Sequence, residues 1–199
     1  MATLRLKGKK TKELESSSNF CKKEVLISIA VLGFILIALG LYLRYYNNIL
    51  TFRHLSNYPE QTQGVVYAKP SKVRIPSVNI EIPIEDADII DGIWETSKDK
   101  ASYLVRSAAL GRSGNVVIYG HNKEHIFAPL IDTEIGDDIF VSDEEGDIHI
   151  YKVSDIQVVD SDEVEVVLPT DYEVLTLYTC TGILDSKRLV IKASPVDFR

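Results

Sequence analysis

Cysteine is scarce in this 199-residue sequence, which holds only Cys21 and Cys180, and no internal repeat or low-complexity block stands out. Two thiols do not make a disulfide-rich scaffold, so whatever folds here must rely on a packed core. Positive charge is also scarce beyond residue 24, where 15 basic residues face 26 acidic ones, a net charge of −11. That balance argues against nucleic acid as a partner. Sustained helical periodicity is rare in the same region.

The sequence does have one long apolar run, Val25 to Leu43 (VLISIAVLGFILIALGLYL), 19 residues without a charge. At about 1.5 Å per residue such a helix spans roughly the 30 Å hydrocarbon core of a bilayer. Arg5, Lys7, Lys9, Lys10, Lys12, Lys22 and Lys23 precede it against Glu13, Glu15 and Glu24, while only Arg44 and Arg53 follow closely. The Lys/Arg excess places the N-terminus in the cytoplasm and the rest of the chain outside. A cleaved signal peptide is the rival reading, but its apolar core is shorter and ends in a small-x-small site, which Leu41, Tyr42, Leu43 and Arg44 do not supply. The expected organisation is a basic cytoplasmic tail (1–24), a single-pass membrane helix (25–43), a stalk (44–68) and an exported domain (69–199). Cys21 then lies inside, as an inert reduced thiol or an acylation site. Cys180 lies outside with no thiol partner.

In the exported domain short β-branched runs recur between turn residues. KVRIPSVNIEIPI carries Pro76 and Pro83 between such runs, and NVVIY (115–119), DIFV (138–141), DIHIYKV (147–153), VEVV (164–167), EVLTLYTC (173–180) and RLVIKA (188–193) are further strand candidates. Helical signal is confined to about Ser97 to Ala109 and a turn or two near Glu124 to Leu130. Many short strands argue for a closed or nearly closed β-barrel, or a sandwich.

The last two strands predict their own register. If Cys180 lies opposite Arg188 in an antiparallel hairpin, Thr179 faces Leu189, Tyr178 faces Val190, Leu177 faces Ile191, Thr176 faces Lys192 and Leu175 faces Ala193. One face then holds Leu175, Leu177, Leu189, Ile191 and Ala193, a core face. The other, less apolar face carries Cys180, Arg188, Tyr178 and Lys192, with thiol and guanidinium as cross-strand neighbours, their Cβ atoms about 5 Å apart.

A cation beside a thiol favours the thiolate, the attacking species. Arg188 also presents a planar fork of donors for a substrate carbonyl or an oxyanion. Among the histidines, His54 falls in the stalk, His149 within a strand, and His121 and His125 after NVVIY. His121 follows Gly120 at a strand end, where side chains reach a surface cleft, and is the first candidate for proton carrier. Singly, each residue has a plainer reading: a core cysteine, a solvated arginine, a turn histidine. Together they are the parts acyl transfer needs.

TLYTC with the downstream RLVIKA, the upstream GNVVIYGHN and the opening VRIPSVNIEIPI resembles the sortases, membrane-anchored bacterial cysteine transpeptidases. The resemblance covers about Lys72 to Ala193. It implies an eight-stranded β-barrel with short helices, His121 as general acid/base, Cys180 as nucleophile and Arg188 as the oxyanion- and substrate-positioning residue. It further implies as partners an exported protein bearing a C-terminal Leu-Pro-x-Thr-Gly-like signal and an acceptor amine of cell wall or pilin. Tyr178 and Thr179, beside the nucleophile, are substrate-binding candidates, although Thr179 falls on the core side and fits a structural role. Asn122 after the histidine and the short connection Thr181 to Lys187 point to a class C, D or E-like enzyme. Asp86 to Thr96, with Trp94, covers the cleft or packs as core.

No cofactor is required. Some sortases bind calcium through acidic loops, and acidic groups cluster at Asp132–Asp138, Asp143–Asp147 and Asp160–Glu165, but without a loop motif these read as a solvated face. A tethered thiol hydrolase and a non-catalytic surface or pilus-associated module are the competing functions.

Overall fold

The computed structural model describes residues 26–43 and 68–196. The tail with Cys21, most of the stalk with His54, and Val25 lie outside the described residues. The chain divides into two units, residues 1–46 and 47–199. In the first, helix α1 (Leu26–Leu43) is 18 residues long and apolar enough to cross a membrane. All of its residues are exposed except Gly33, which is intermediate.

The second unit is a barrel. Its strands are β1 (Pro70–Ile75), β2 (Ile80–Ala87), β5 (Ala101–Leu104), β6 (Gly114–Gly120), β7 (Asp138–Asp143), β8 (Ile148–Asp160), β9 (Glu173–Thr181) and β10 (Lys187–Pro195), and a separate hairpin is formed by β3 (Ile89–Ile90) and β4 (Ile93–Trp94). The eight close in the order β1-β2-β5-β6-β9-β10-β8-β7. Alternation puts Val73, Ile75, Ile82, Ile118, Leu175, Leu177, Leu189 and Ile191 into the interior with Phe127 and Tyr151. Closure removes the free edges that would otherwise recruit another chain.

The β9–β10 register is the predicted one, with Arg188 opposite Cys180 and each pair down to Ala193 opposite Leu175. Two local expectations are overturned. Ser97 to Ala109 is not a helix: its centre is β5, parallel to β2 and antiparallel to β6 through Ser102↔Tyr119 and Tyr103↔Ile118. VEVV is not a strand but a 3-10 turn, Glu165–Val167. Near Glu124 to Leu130 the expected turn is present, continuing as a 3-10 segment over Ala128–Asp132.

Candidate active site

β6 and β9 are buried along nearly their whole length, and they run parallel from Gly114↔Glu173 to Gly120↔Thr179. The ladder ends at Gly120↔Thr179, the residues immediately before His121 and Cys180. Tyr119, Tyr178 and Cys180 belong to the outer face of the barrel, and His121 follows directly on the end of β6. Arg188 lies cross-strand from Cys180 on β10.

The end of β6 is held from several sides. Thr179 Oγ1 donates to the Gly120 carbonyl at 2.8 Å, and the His121 carbonyl accepts the amides of Lys123 (2.9 Å) and Phe127 (3.3 Å). The 121–127 loop folds back so tightly that a Cβ on Gly120 would lie 2.9 Å from Ile126 Cγ2. Glycine is required here for close approach. Arg188 Nη1 donates to the carbonyls of Asp185 (2.7 Å) and Lys187 (2.9 Å), so the guanidinium is anchored to the β9–β10 connection.

The outer face is not the less apolar one that alternation suggested. Cys180 is 6% exposed and Arg188 4%, in or beside a second apolar cluster of Ile89, Trp94, Val117, Tyr119, Val166, Val167, Tyr178 and Val190. The β3–β4 hairpin and the 164–168 segment supply the residues that cover it. Burial dominates the electrostatics, pushing the Cys180 thiol up to about 11 against the pull of Arg188, with Asp185 adding to the rise. Burial and Lys123 lower the His121 pKa, and Asp185 partly opposes them. Both shifts, the thiol upward and the imidazole downward, favour the neutral pair over the thiolate–imidazolium form. Arg188 favours the thiolate without making it the resting state.

The sequence profile of the sortase domain matches residues 73–196. The chain belongs to the sortase family. Solved sortases share the fold. Sortase A from Corynebacterium diphtheriae is 23% identical at a TM-score of 0.58, over 85% of this chain and 86% of that one. Sortase C-1 from Actinomyces oris is 26% identical (TM-score 0.55, 64% of this chain and 73% of that one). The Clostridium perfringens sortase D5 transpeptidase is 22% identical (TM-score 0.55, 65% and 79%). These relatives span classes A, C and D and leave the subtype open. No curated protein matches the sequence. Membership supports a transpeptidase role for the chain.

Within this sortase fold the remaining candidates disperse. Tyr178 shares the face of Cys180 but is fully enclosed, and the Thr179 hydroxyl is committed to Gly120. His125 is exposed, 3.7 Å from Asp99. His149 pairs with Asp143 at 3.2 Å, roughly 30 Å along β8 from Val159, the partner of Arg188. Among the acidic groups, Asp137 accepts from Ser77 and the Glu134 amide, and Asp138 pairs with Lys152. Among the described residues no group of three or more His, Cys, Asp or Glu is placed to hold a metal ion. The sequence reading did not single out Tyr119, Asn115 or Asp185. Asn115 and Tyr119 share the parity of His121 on β6, a signal that could have marked them as its neighbours.

Proposed function

We propose that this sortase is a membrane-anchored cysteine transpeptidase acting outside the cell, with Cys180 as nucleophile, His121 as general acid/base and Arg188 as the residue that positions the substrate carbonyl and its oxyanion. The observation that supports this most is the pair of registers: Arg188 is cross-strand from Cys180, and the β6–β9 ladder ends at Gly120↔Thr179, the residues immediately before His121 and Cys180.

The substrate is an exported protein with a C-terminal Leu-Pro-x-Thr-Gly-like signal. Cys180 Sγ bonds to the threonine carbonyl carbon as the thiol proton passes to His121. The C–N bond then breaks, the proton moves to the leaving amine, and a thioester remains on Cys180. An acceptor amine of cell wall or pilin gives its proton to His121 as it attacks, the S–C bond breaks, and the thiol is restored. Because the neutral pair predominates at rest, His121 acts as a base during attack rather than as a preformed imidazolium. α1 is the anchor, with the basic tail on the cytoplasmic side.

The test is full-length protein in detergent, incubated with a signal peptide and an amine. The expected product is the peptide joined to the amine, lost in Cys180→Ala. Acid product alone, whatever the amine concentration, makes the protein a hydrolase. The burial of Cys180 favours one other reading, a non-catalytic module in which the thiol is simply core. A Cys180 that resists iodoacetamide in the folded protein, with or without peptide, establishes that reading.

A further inference from the structure

Beneath the proposed reacting residues lies an aromatic contact that the mechanism does not use. Tyr119 and Tyr178 are partners in the parallel ladder, and each stands two residues before the reacting residue on its strand. Trp94 lies across both: its ring is edge-on to Tyr119 with centroids 4.4 Å apart, and stacked on Tyr178 at 5.7 Å and 17°. It therefore bridges the seam between the strand that leads to His121 and the strand that carries Cys180.

The hairpin bearing Trp94 is itself fixed. Arg106 grips Asp88 with two nitrogens, Nε at 2.6 Å and Nη2 at 2.9 Å. The Glu95 amide donates to the Asp88 carbonyl, and the Glu95 carboxylate accepts the Asp88 amide. At the tip, Asp91 and Gly92 take left-handed conformations, the two-residue turn that suits a tight hairpin. Tyr119 closes the connection by donating its hydroxyl proton to the Glu95 carbonyl at 2.6 Å. Above this level the β6–β9 ladder ends, and the ladder itself no longer dictates the relative placement of residues 121 and 180.

We infer that Trp94 is a positioning residue for the reaction: clamped by its hairpin across Tyr119 and Tyr178, it holds the ends of β6 and β9 in the alignment that lets His121 exchange a proton with Cys180. The inference rests on the reading of those two residues as the reacting pair. It predicts that losing the ring impairs proton exchange rather than peptide binding, whereas a purely structural tryptophan affects only stability.

The experiment compares full-length wild type, Trp94→Leu and Trp94→Phe in detergent, with folding followed by near-UV circular dichroism. Trp94→Leu should lower kcat about 10- to 100-fold with KM held within about twofold, the size expected from misplacing a reacting pair, and Trp94→Phe should recover most of it. A second readout is iodoacetamide alkylation of Cys180 against pH. The inflection that His121→Ala removes should also vanish in Trp94→Leu and persist in Trp94→Phe. A Trp94→Leu protein that keeps kcat and the inflection, or that changes KM alone, overturns the inference. If Trp94→Leu does not fold, Tyr119→Phe decides, since it removes only the hydroxyl bond to Glu95. A reduced kcat with a shifted inflection supports the clamp, and wild-type behaviour overturns it. If wild type itself shows alkylation without any His121-dependent inflection, the reacting pair fails first and the clamp with it.

Discussion

The two faces of the β9–β10 hairpin differ in what they are asked to do. The inner face carries Leu175, Leu177, Leu189, Ile191 and Ala193, which pack into the barrel interior, together with the buried Thr179. The outer face is just as dry around Tyr178, Cys180 and Val190, yet it holds an ionisable thiol next to a guanidinium. Equal burial thus serves two ends: inside it stabilises the fold, and outside it raises the pKa of the Cys180 thiol proposed to react.

Substitutions can break this contrast. Cys180→Ala should abolish transpeptidation, a loss of about four orders of magnitude or more, with little change in the thermal midpoint. Leu177→Ala, three residues before Cys180 and on the inner side, should instead lose about 2–5 kcal/mol of stability while its folded fraction keeps kcat. A Leu177→Ala enzyme that is stable but inactive would erase the distinction. His121→Ala should lower kcat by about 10²- to 10⁴-fold, read by product formation at saturating peptide.

Arg188→Ala should lose about 10²- to 10³-fold in kcat and move the pH dependence of Cys180 alkylation still higher, because burial then acts unopposed. Unchanged turnover and alkylation in that variant would remove Arg188 from the site. The smallest effect is on stability. The folded-state thiol pKa is raised from 9.0 to about 11, so the protonated thiol contributes stability that is complete below pH 9 and is lost as pH rises towards 11. Urea midpoints measured from pH 8 to 11 should fall more steeply in wild type than in Cys180→Ala.

Much of this site was legible in the sequence because it depends on local alternation. Strand pairing of 173–180 with 188–193 at period two collects Leu175, Leu177, Leu189, Ile191 and Ala193 on one face, and that pairing sets Arg188 against Cys180. Gly120-His121 marked a strand end for a similar reason. Of what covers the outer face, Asp86 to Thr96 with Trp94 was marked in the sequence as cleft cover or core, but Val166 and Val167 were not, since periodicity tells which side a residue takes and not which distant segment lands there. The hairpin around Asp91-Gly92 did carry a local signal, an Asp-Gly turn between Ile-Ile and Ile-Trp. Residues 97–109 read as helical from composition, but their pairing with β2 and β6 outweighs propensity. VEVV has strand composition, yet no neighbouring strand is there to pair with it.

Parallel pairing of β6 with β9 has a consequence for timing. A hairpin can close as soon as it is made, but these strands meet across 59 residues of chain, after β7 and β8 have been laid down. Such distant contacts form late in folding. A partly folded chain carries the sulfur and the imidazole without their proposed partnership, so acyl transfer waits for the complete domain.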